Sequence, residues 1–310
     1  MADATFTTVV ARVDQALTNA IWEDQIMGNL NQLAGAHRNL LVNGGMEYCQ
    51  RGAGPFTADN AYGPDRYQID LVGASTISVT QDSSVVAENS RYSLKAVYTH
   101  SSASLIKQRI EDYYQLRGKT LSLSILVRPT TAQNGTIGVG IYDSGGGSSS
   151  YPNCPANTWT LITVTEEIDA AATYVEVRLE LGASMTVYFD NAMLVVGPAA
   201  APYQPLTPQE DLARCQRYYE VHGGVSGAMT FGGYGAAASG AFQFVPFAVP
   251  KGGTPTMTKN GTWNTTNCGQ PSASGPMVSG YTLQVTVTAL AAFLTNCNST
   301  DDTITAEWNP

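Results

Sequence analysis

The sequence predicts a mostly-β protein: a short N-terminal helix, then a jelly-roll-like β-sandwich, then a small C-terminal β domain. Charged residues make up only 13% of the chain while hydrophobic residues make up 43%, and 30 Gly and 16 Tyr stand among many Thr, Ser and Asn. That balance suits short strands joined by tight turns, because Gly and Asn supply the backbone angles such turns need. Short stretches of period-two alternation recur between turn residues over most of the length. A Pro/Ala-rich piece, GPAAAPYQPLTPQ at 197–209, then divides two β-rich parts. Such a piece cannot hold a sheet ladder and tends to be extended.

The first segment, 1–38, carries the helix. Thr18 can cap it through its hydroxyl, and Glu23 and Asp24 lie near the first turn, where the helix dipole favours them. Ile21, Trp22, Ile26, Leu30 and Leu33 fall at helical spacing, and Gly35 is a plausible stop. About four turns are marginal alone in water, so this stripe needs a partner. It packs either on the chain's own β domain or on copies of itself and other subunits; its terminal position favours assembly.

The second segment, 39–200, reads as strands at 76–80, 92–98, 120–127, 136–141, 159–165, 174–181 and 185–189. Seven or more short strands in such a length argue a sandwich of jelly-roll type. The stretch ASLIKQRIEDYYQLR, 103–117, fits a strand followed by a helical turn. The third segment, 201–310, opens with the linker and PQEDLARCQRYYEV. Thr207 caps a short helix there, Pro208 opens it, and Leu212, Cys215 and Tyr219 are expected on one face. Strand candidates follow in FQFVPFAVP, TPTMTKNGTW, GYTLQVTVTALAAF and TITAEW.

Chemistry is sparse. The net charge of −9 gives no electrostatic footprint for a nucleic-acid backbone, and no run reaches the length of a membrane span, so neither nucleic acid nor membrane insertion is expected. Cys49, Cys154, Cys215, Cys268 and Cys297 make no metal-binding spacing and read as reduced thiols, with a Cys268–Cys297 disulfide as the alternative. No nucleophile elbow, zinc-protease motif, P-loop or dinucleotide fingerprint is present. The acidic pairs Glu111/Asp112 and Glu166/Glu167 are adjacent residues that point apart, so they read as solvated charge rather than a glycosidase dyad. A non-enzymatic protein is the expectation.

Two resemblances add to this. The middle segment opens with NLLVNGGMEYCQRG, passes through ENSRYSLKAVYT and closes with VYFDNAMLVVGP. That order resembles the β-sandwich carbohydrate-binding modules. The resemblance implies a structural calcium between Glu47 and Asp190, helped by backbone oxygens near Asn43 and Lys95. A hard, oxygen-ligated cation can pin the first strand to the last. The competing reading pairs these carboxylates with Arg or Lys, or uses them to cap turns. No other cofactor is called for.

The succession of ALTNAIWEDQIMGNLNQL, the sandwich ending in VYFDNAMLVVG, the Pro-rich linker and EDLARCQRYYEV resembles tail-fibre and related appendage proteins of bacteriophages. This implies a virion protein made in the host bacterial cytoplasm, a homotrimer held to other virion proteins by its N-terminus, with outer β domains that bind a host-surface glycan. There is no long shaft, so a head fibre, collar fibre or capsid decoration with a purely architectural role is the alternative. A polysaccharide-degrading enzyme is the third reading. The aromatic platforms open to a sugar are Tyr62, Tyr67, Tyr113, Tyr114, Tyr151 and Trp159. Trp22 is expected in assembly, and Trp263 and Trp308 in packing the last domain.

Overall fold

The computed structural model describes residues 38–309, so the predicted helix and its stripe Ile21, Trp22, Ile26, Leu30 and Leu33 lie outside the described residues. The described chain is mostly β. Its first part is a sandwich of two five-stranded antiparallel sheets. The front sheet runs β1 (Gln68–Asp70), β4 (Ser104–Arg109), β11 (Val175–Leu181), β7 (Ile137–Asp143) and β8 (Gly147–Ser150). The back sheet runs β10 (Thr160–Glu167), β5 (Thr120–Pro129), β12 (Met185–Val196), β3 (Ser93–Thr99) and β2 (Thr76–Asp82). The chain crosses repeatedly between the sheets, as a jelly roll does. β6 (Gln133–Asn134) and β9 (Asn153–Cys154) pair as a separate two-stranded ribbon. A 3-10 turn, Tyr113–Leu116, follows β4, as the 103–117 stretch predicted.

The core lies between the sheets. Val175, Val177, Leu179 and Leu181 of β11 and Ile137, Val139 and Ile141 of β7 face Leu121, Leu123, Ile125 and Val127 of β5 and Phe189 of β12. Alternation is clean in β10, whose outer side is exposed. It is lost in β5 and β12, which are buried on both faces. The linker causes this. Residues 197–207 form no strand and lie on the back sheet, where Ser122 Oγ donates to Gly197 O (2.7 Å) and Ser124 Oγ donates to Ala201 O (2.6 Å). Ala201 and Tyr203 cover Met193 and Val195.

Helix α1 (Pro208–Gln216) begins as predicted, with the Thr207 hydroxyl accepting from Glu210 N and with Glu210 and Asp211 in the first turn. It is shorter than the sequence suggested. Tyr219 leaves the helix for β13 (Tyr219–Gly223), because YYEV pairs with the last strand, so it shares no helical face with Leu212 and Cys215. Three small antiparallel sheets complete the domain. They are β13 with β21 (Thr303–Glu307) and β16 (Thr256–Lys259); β14 (Thr230–Gly235) with β20 (Ala291–Asn296) and β17 (Asn264–Thr266); and β15 (Gly240–Pro246) with β19 (Gly280–Thr286) and β18 (Ser272–Met277). Trp263, Tyr281, Leu283, Cys297 and Ile304 form their core. All five cysteines are free, so the alternative Cys268–Cys297 bridge is not formed.

The two parts are joined by a polar and aromatic seam. Cys215 and Tyr218 pack on Val42. Val42 itself is held at both backbone groups by the buried Gln108 amide, at 2.8 and 3.0 Å. Arg217 Nε and the Tyr218 hydroxyl both donate to Glu111, each at 2.7 Å. Trp308 stacks on Tyr218, so it belongs to the seam rather than to the last domain's core. The loop before β1 is the pivot. Asn43 adopts φ 58° and is fully buried, and its amide serves Tyr48 and Asp65. Gly44 next to it has no room for a side chain, since an added Cβ would lie 2.2 Å from the carbonyl oxygen of Ala192.

Gly44→Ala is therefore expected to destabilise the fold by about 2–3 kcal/mol, the usual cost of overpacking against backbone. Chemical denaturation with an unchanged m-value would show it; a shift of less than about 0.5 kcal/mol would contradict the close approach.

Candidate functional site

The outer face of the front sheet concentrates functional groups. In β11, VEVRLEL turns its four apolar residues inward and Glu176, Arg178 and Glu180 outward. In β7, IGVGIYD turns Ile137, Val139 and Ile141 inward and Gly138, Gly140 and Tyr142 outward. Register then sets three rows across the sheet. Arg178 lies between Lys107 and Gly140, Glu180 between Leu105 and Gly138, and Glu176 between Arg109 and Tyr142.

Glycine at 138 and 140 decides the shape of this face. A Cβ on Gly138 would lie 2.4 Å from the Tyr151 ring, and one on Gly140 would lie 2.2 Å from Ser149 Oγ and 2.7 Å from the Tyr142 ring. The missing side chains let two aromatic rings and a hydroxyl lie down on the sheet. Polar bonds fix them there. Ser149 Oγ donates to Glu180 Oε1 (2.6 Å) and shares a hydrogen bond with the Tyr142 hydroxyl (2.9 Å). The Tyr151 hydroxyl donates to Glu180 Oε2. The Arg178 guanidinium lies 3.9 Å from the centre of the Tyr142 ring and donates to Glu176 Oε1 at 2.7 Å. Arg109 donates to the other oxygen of Glu176 at 3.2 Å and sits 5.0 Å from the centre of the Tyr174 ring.

The electrostatics keep these groups in one protonation state. Burial pushes the Tyr151 hydroxyl up to about 12, and its bond to Glu180 adds to the effect, so it remains a neutral donor. Burial alone would lower Arg178, but the bond to Glu176 and its charge outweigh it and hold the guanidinium charged. Tyr151 is 47% exposed, so one ring offers a flat apolar surface with anchored polar groups at its rim. That arrangement suits a sugar ring, whose C–H face stacks on aromatics while its hydroxyls take hydrogen bonds.

The other predicted aromatics do not gather here. Tyr62 is bridged to Gln68 and lies under Arg51 at 5.2 Å. Tyr67 is core. Tyr113 packs against the core under Arg117, with the exposed Tyr114 edge-on to it at 6.3 Å. Trp159 donates its indole N–H to Val86 O at 3.1 Å. Of the predicted candidates, Tyr151 is the one on the front face. Tyr142, Tyr174, Ser149, Arg178 and Glu180 were missed, although GVGIYD beside an alternating VEVRLEL is the signal that marks them.

Glu47 and Asp190 are neighbours, but each has protein partners of its own. Glu47 accepts from Arg91 Nε at 2.7 Å. Asp190 is fully buried at a bulge in β12 and accepts from Ala87 N (3.0 Å), Ser90 Oγ (3.2 Å) and Asn191 N (2.7 Å). Among the described residues no three His, Cys, Asp or Glu side chains converge on one point. With N–H and O–H donors filling Asp190 and a guanidinium on Glu47, the donor set does not fit a calcium ion. The pairing and turn-capping reading describes both residues. A groove of about 500 Å³ opens beside them, lined by Glu47, Arg91, Tyr203 and Asp211 among others.

No family model matches the chain, and no curated protein matches it. Solved structures resemble it at low similarity. The C-terminal family 22 carbohydrate-binding module of a Clostridium thermocellum protein is 14% identical over 50% of this chain and 99% of its own, with a TM-score of 0.34. A xylan-binding domain from Paenibacillus barcinonensis is 12% identical over 53% and 98%, with a TM-score of 0.36. The enzymatically active domain of bacteriophage CBA120 tailspike protein 4 is 16% identical over 51% of this chain and 21% of that one, with a TM-score of 0.34. Likenesses of this size assign no role to any residue.

Burial without a counter-charge raises Asp190 from its ordinary 3.8 to about 6, against the lowering effect of its hydrogen bonds. A carboxyl whose folded pKa is raised binds its proton more tightly in the folded state, so it adds stability as pH falls through that window. The unfolding free energy of the native chain relative to Asp190→Asn should therefore rise by about 2 kcal/mol between pH 7.5 and pH 4.5, at roughly 1.4 kcal/mol per unit. Calcium and chelator should leave the melting temperature unchanged. A drop on chelation, restored by calcium, would reinstate the metal.

Proposed function

We propose that this chain is a non-catalytic glycan-binding protein, a short appendage of a bacteriophage particle whose sandwich grips a host-surface polysaccharide on its front sheet. The observation that supports binding is the pair of tyrosine rings laid flat over Gly138 and Gly140 and tied by Ser149 and Glu180. A preorganised platform of this kind binds without first ordering its side chains. Binding rather than cleavage is favoured because both outward carboxylates are occupied. Glu176 is held between two arginines, and Glu180 accepts from two hydroxyls. The appendage part of the reading rests on the sequence resemblance, with the N-terminal segment as the attachment to other virion proteins.

A glycan array followed by calorimetry tests the binding. Tyr151→Ala is expected to weaken the best ligand about two- to tenfold, since a stacked ring contributes about 0.5–1.5 kcal/mol. Gly138→Ala should do the same by lifting the Tyr151 ring, with little change in melting temperature. An array that stays blank with folded protein would favour the purely architectural role. Release of new reducing ends from the ligand would establish an enzyme instead.

A further inference from the structure

On the outer face of the front sheet, hydrogen-bond donors and acceptors are used unequally. The outward residues of β4 are Leu105, Lys107 and Arg109, and those of β11 are Glu176, Arg178 and Glu180. Register sets Arg178 directly across from Lys107 and Glu176 across from Arg109. Three cations are therefore neighbours on the sheet, with Arg109 two residues along β4 from Lys107. Asp70 of β1 flanks them and accepts from Lys107 Nζ.

The carboxylates of β11 are already engaged. Glu176 has a side chain only 3% exposed, and its two oxygens accept from Arg178 Nε (2.7 Å) and Arg109 Nε (3.2 Å). Both oxygens of Glu180 accept as well, from the Ser149 and Tyr151 hydroxyls. The arginines are engaged only in part. Each spends its Nε on Glu176, and the terminal nitrogens of neither donate to any described residue. Arg109 is 46% exposed and Arg178 24%, so these donors are open to solvent. Stacking on Tyr174 and Tyr142 holds the two planes in place. Two guanidiniums that share one buried carboxylate leave a positive charge at the surface.

We infer that the glycan bound on this face is an acidic one, whose carboxylate or phosphate is received by the free ends of Arg109 and Arg178. This rests on the glycan reading of the same sheet and names the class of sugar. The donor count selects it. A sugar hydroxyl both donates and accepts, whereas an ionised carboxylate only accepts. Beside the arginines there are donors to spare and acceptors already occupied, which suits the anion. Guanidinium forks also match carboxylate and phosphate oxygens in pairs. Arg178 lies two residues from Glu180 on one face, about 7 Å away, so a chain stacked on Tyr151 passes over the arginines. The net charge of −9 opposes an anion only diffusely, since salt screens it beyond about 8–10 Å, while these contacts are at hydrogen-bond range.

Calorimetry of the full chain tests this with matched probes. These are oligosaccharides of galacturonate, glucuronate and mannuronate, each beside its methyl ester, and a phosphorylated mannan beside its dephosphorylated form. At least one acidic form should bind about tenfold or more tighter than its uncharged counterpart, the scale of a charge-assisted hydrogen bond. A preference found only for the phosphorylated mannan identifies the anion as phosphate. Arg109→Gln should remove most of that ratio, with cooperative melting retained because Arg178 still pairs with Glu176. Arg109→Lys, which keeps the charge, should retain a preference. Tyr151→Ala should weaken acidic and uncharged forms alike. Uncharged forms that bind as tightly as acidic ones overturn the inference and leave glycan binding on the platform standing. An Arg109→Gln chain that loses both forms equally also overturns it, because the arginine then only supports the rings. Binding of no probe and of no glycan on an array overturns both readings.

Discussion

The loop at Asn43–Gly44–Gly45 is where the molecule is tied together. Asn43, in the left-handed region, uses its amide to hold Tyr48 and Asp65, and its backbone N–H donates to Asp211 of α1 at 3.3 Å. Gly44 O accepts from Ala192 N at 2.8 Å, within the bulge of β12. Gly45 lies against the Tyr203 hydroxyl of the linker. The chain that leads into β1, the last sandwich strand, the linker and the helix thus converge on three residues. A larger side chain at Gly44 would push apart backbones that the buried polar groups need close.

That convergence explains why the linker, extended and Pro-rich as its composition dictates, does not act as a hinge. It lies on the back sheet and gives β5 and β12 a second buried face. The helix that follows is anchored by Arg214, which donates to Asn39 O at 2.8 Å, and by the Tyr48 hydroxyl, which donates to Pro208 O at 2.5 Å. At its other end the buried Lys251 ammonium donates to Gln216 O (2.5 Å) and to Glu220 (2.6 Å), which ties the helix to the last domain. The linker covers β5 and β12, while the outer side of β10 stays exposed.

The front face also shows how core packing and an anchored polar surface can share one strand. Inward residues of β7 and β11 are large and apolar because the core requires it. The outward positions are free of that demand. They are Gly138, Gly140 and Tyr142 on β7 and Glu176, Arg178 and Glu180 on β11, so the rings of Tyr142 and Tyr151 can rest on the sheet while charged side chains of β11 hold them. In the C-terminal domain the strands that carry charge all belong to the β13–β21–β16 sheet, and those of the two other sheets carry none.

Much of the fold was legible in the sequence. Alternation marked most of the longer strands, since a half-buried strand must alternate. Thr207–Pro208–Glu210–Asp211 marked the start of α1, because capping is local chemistry. Strands such as β14, rich in glycine, and β8, all Gly and Ser, carried no pattern, because such residues have no apolar alternation to show. The end of α1 is not legible locally, because Tyr219 belongs to β13 only where the distant β21 is there to receive it. Of the candidate site, Tyr151 was visible as one aromatic among several. Composition could not show that it lies over Gly138 and bonds Glu180, nor that Glu47 faces Arg91. Local sequence determined which elements form. Only the tertiary structure decided which side chains meet, because register and crossing between sheets bring together residues that no local spacing relates.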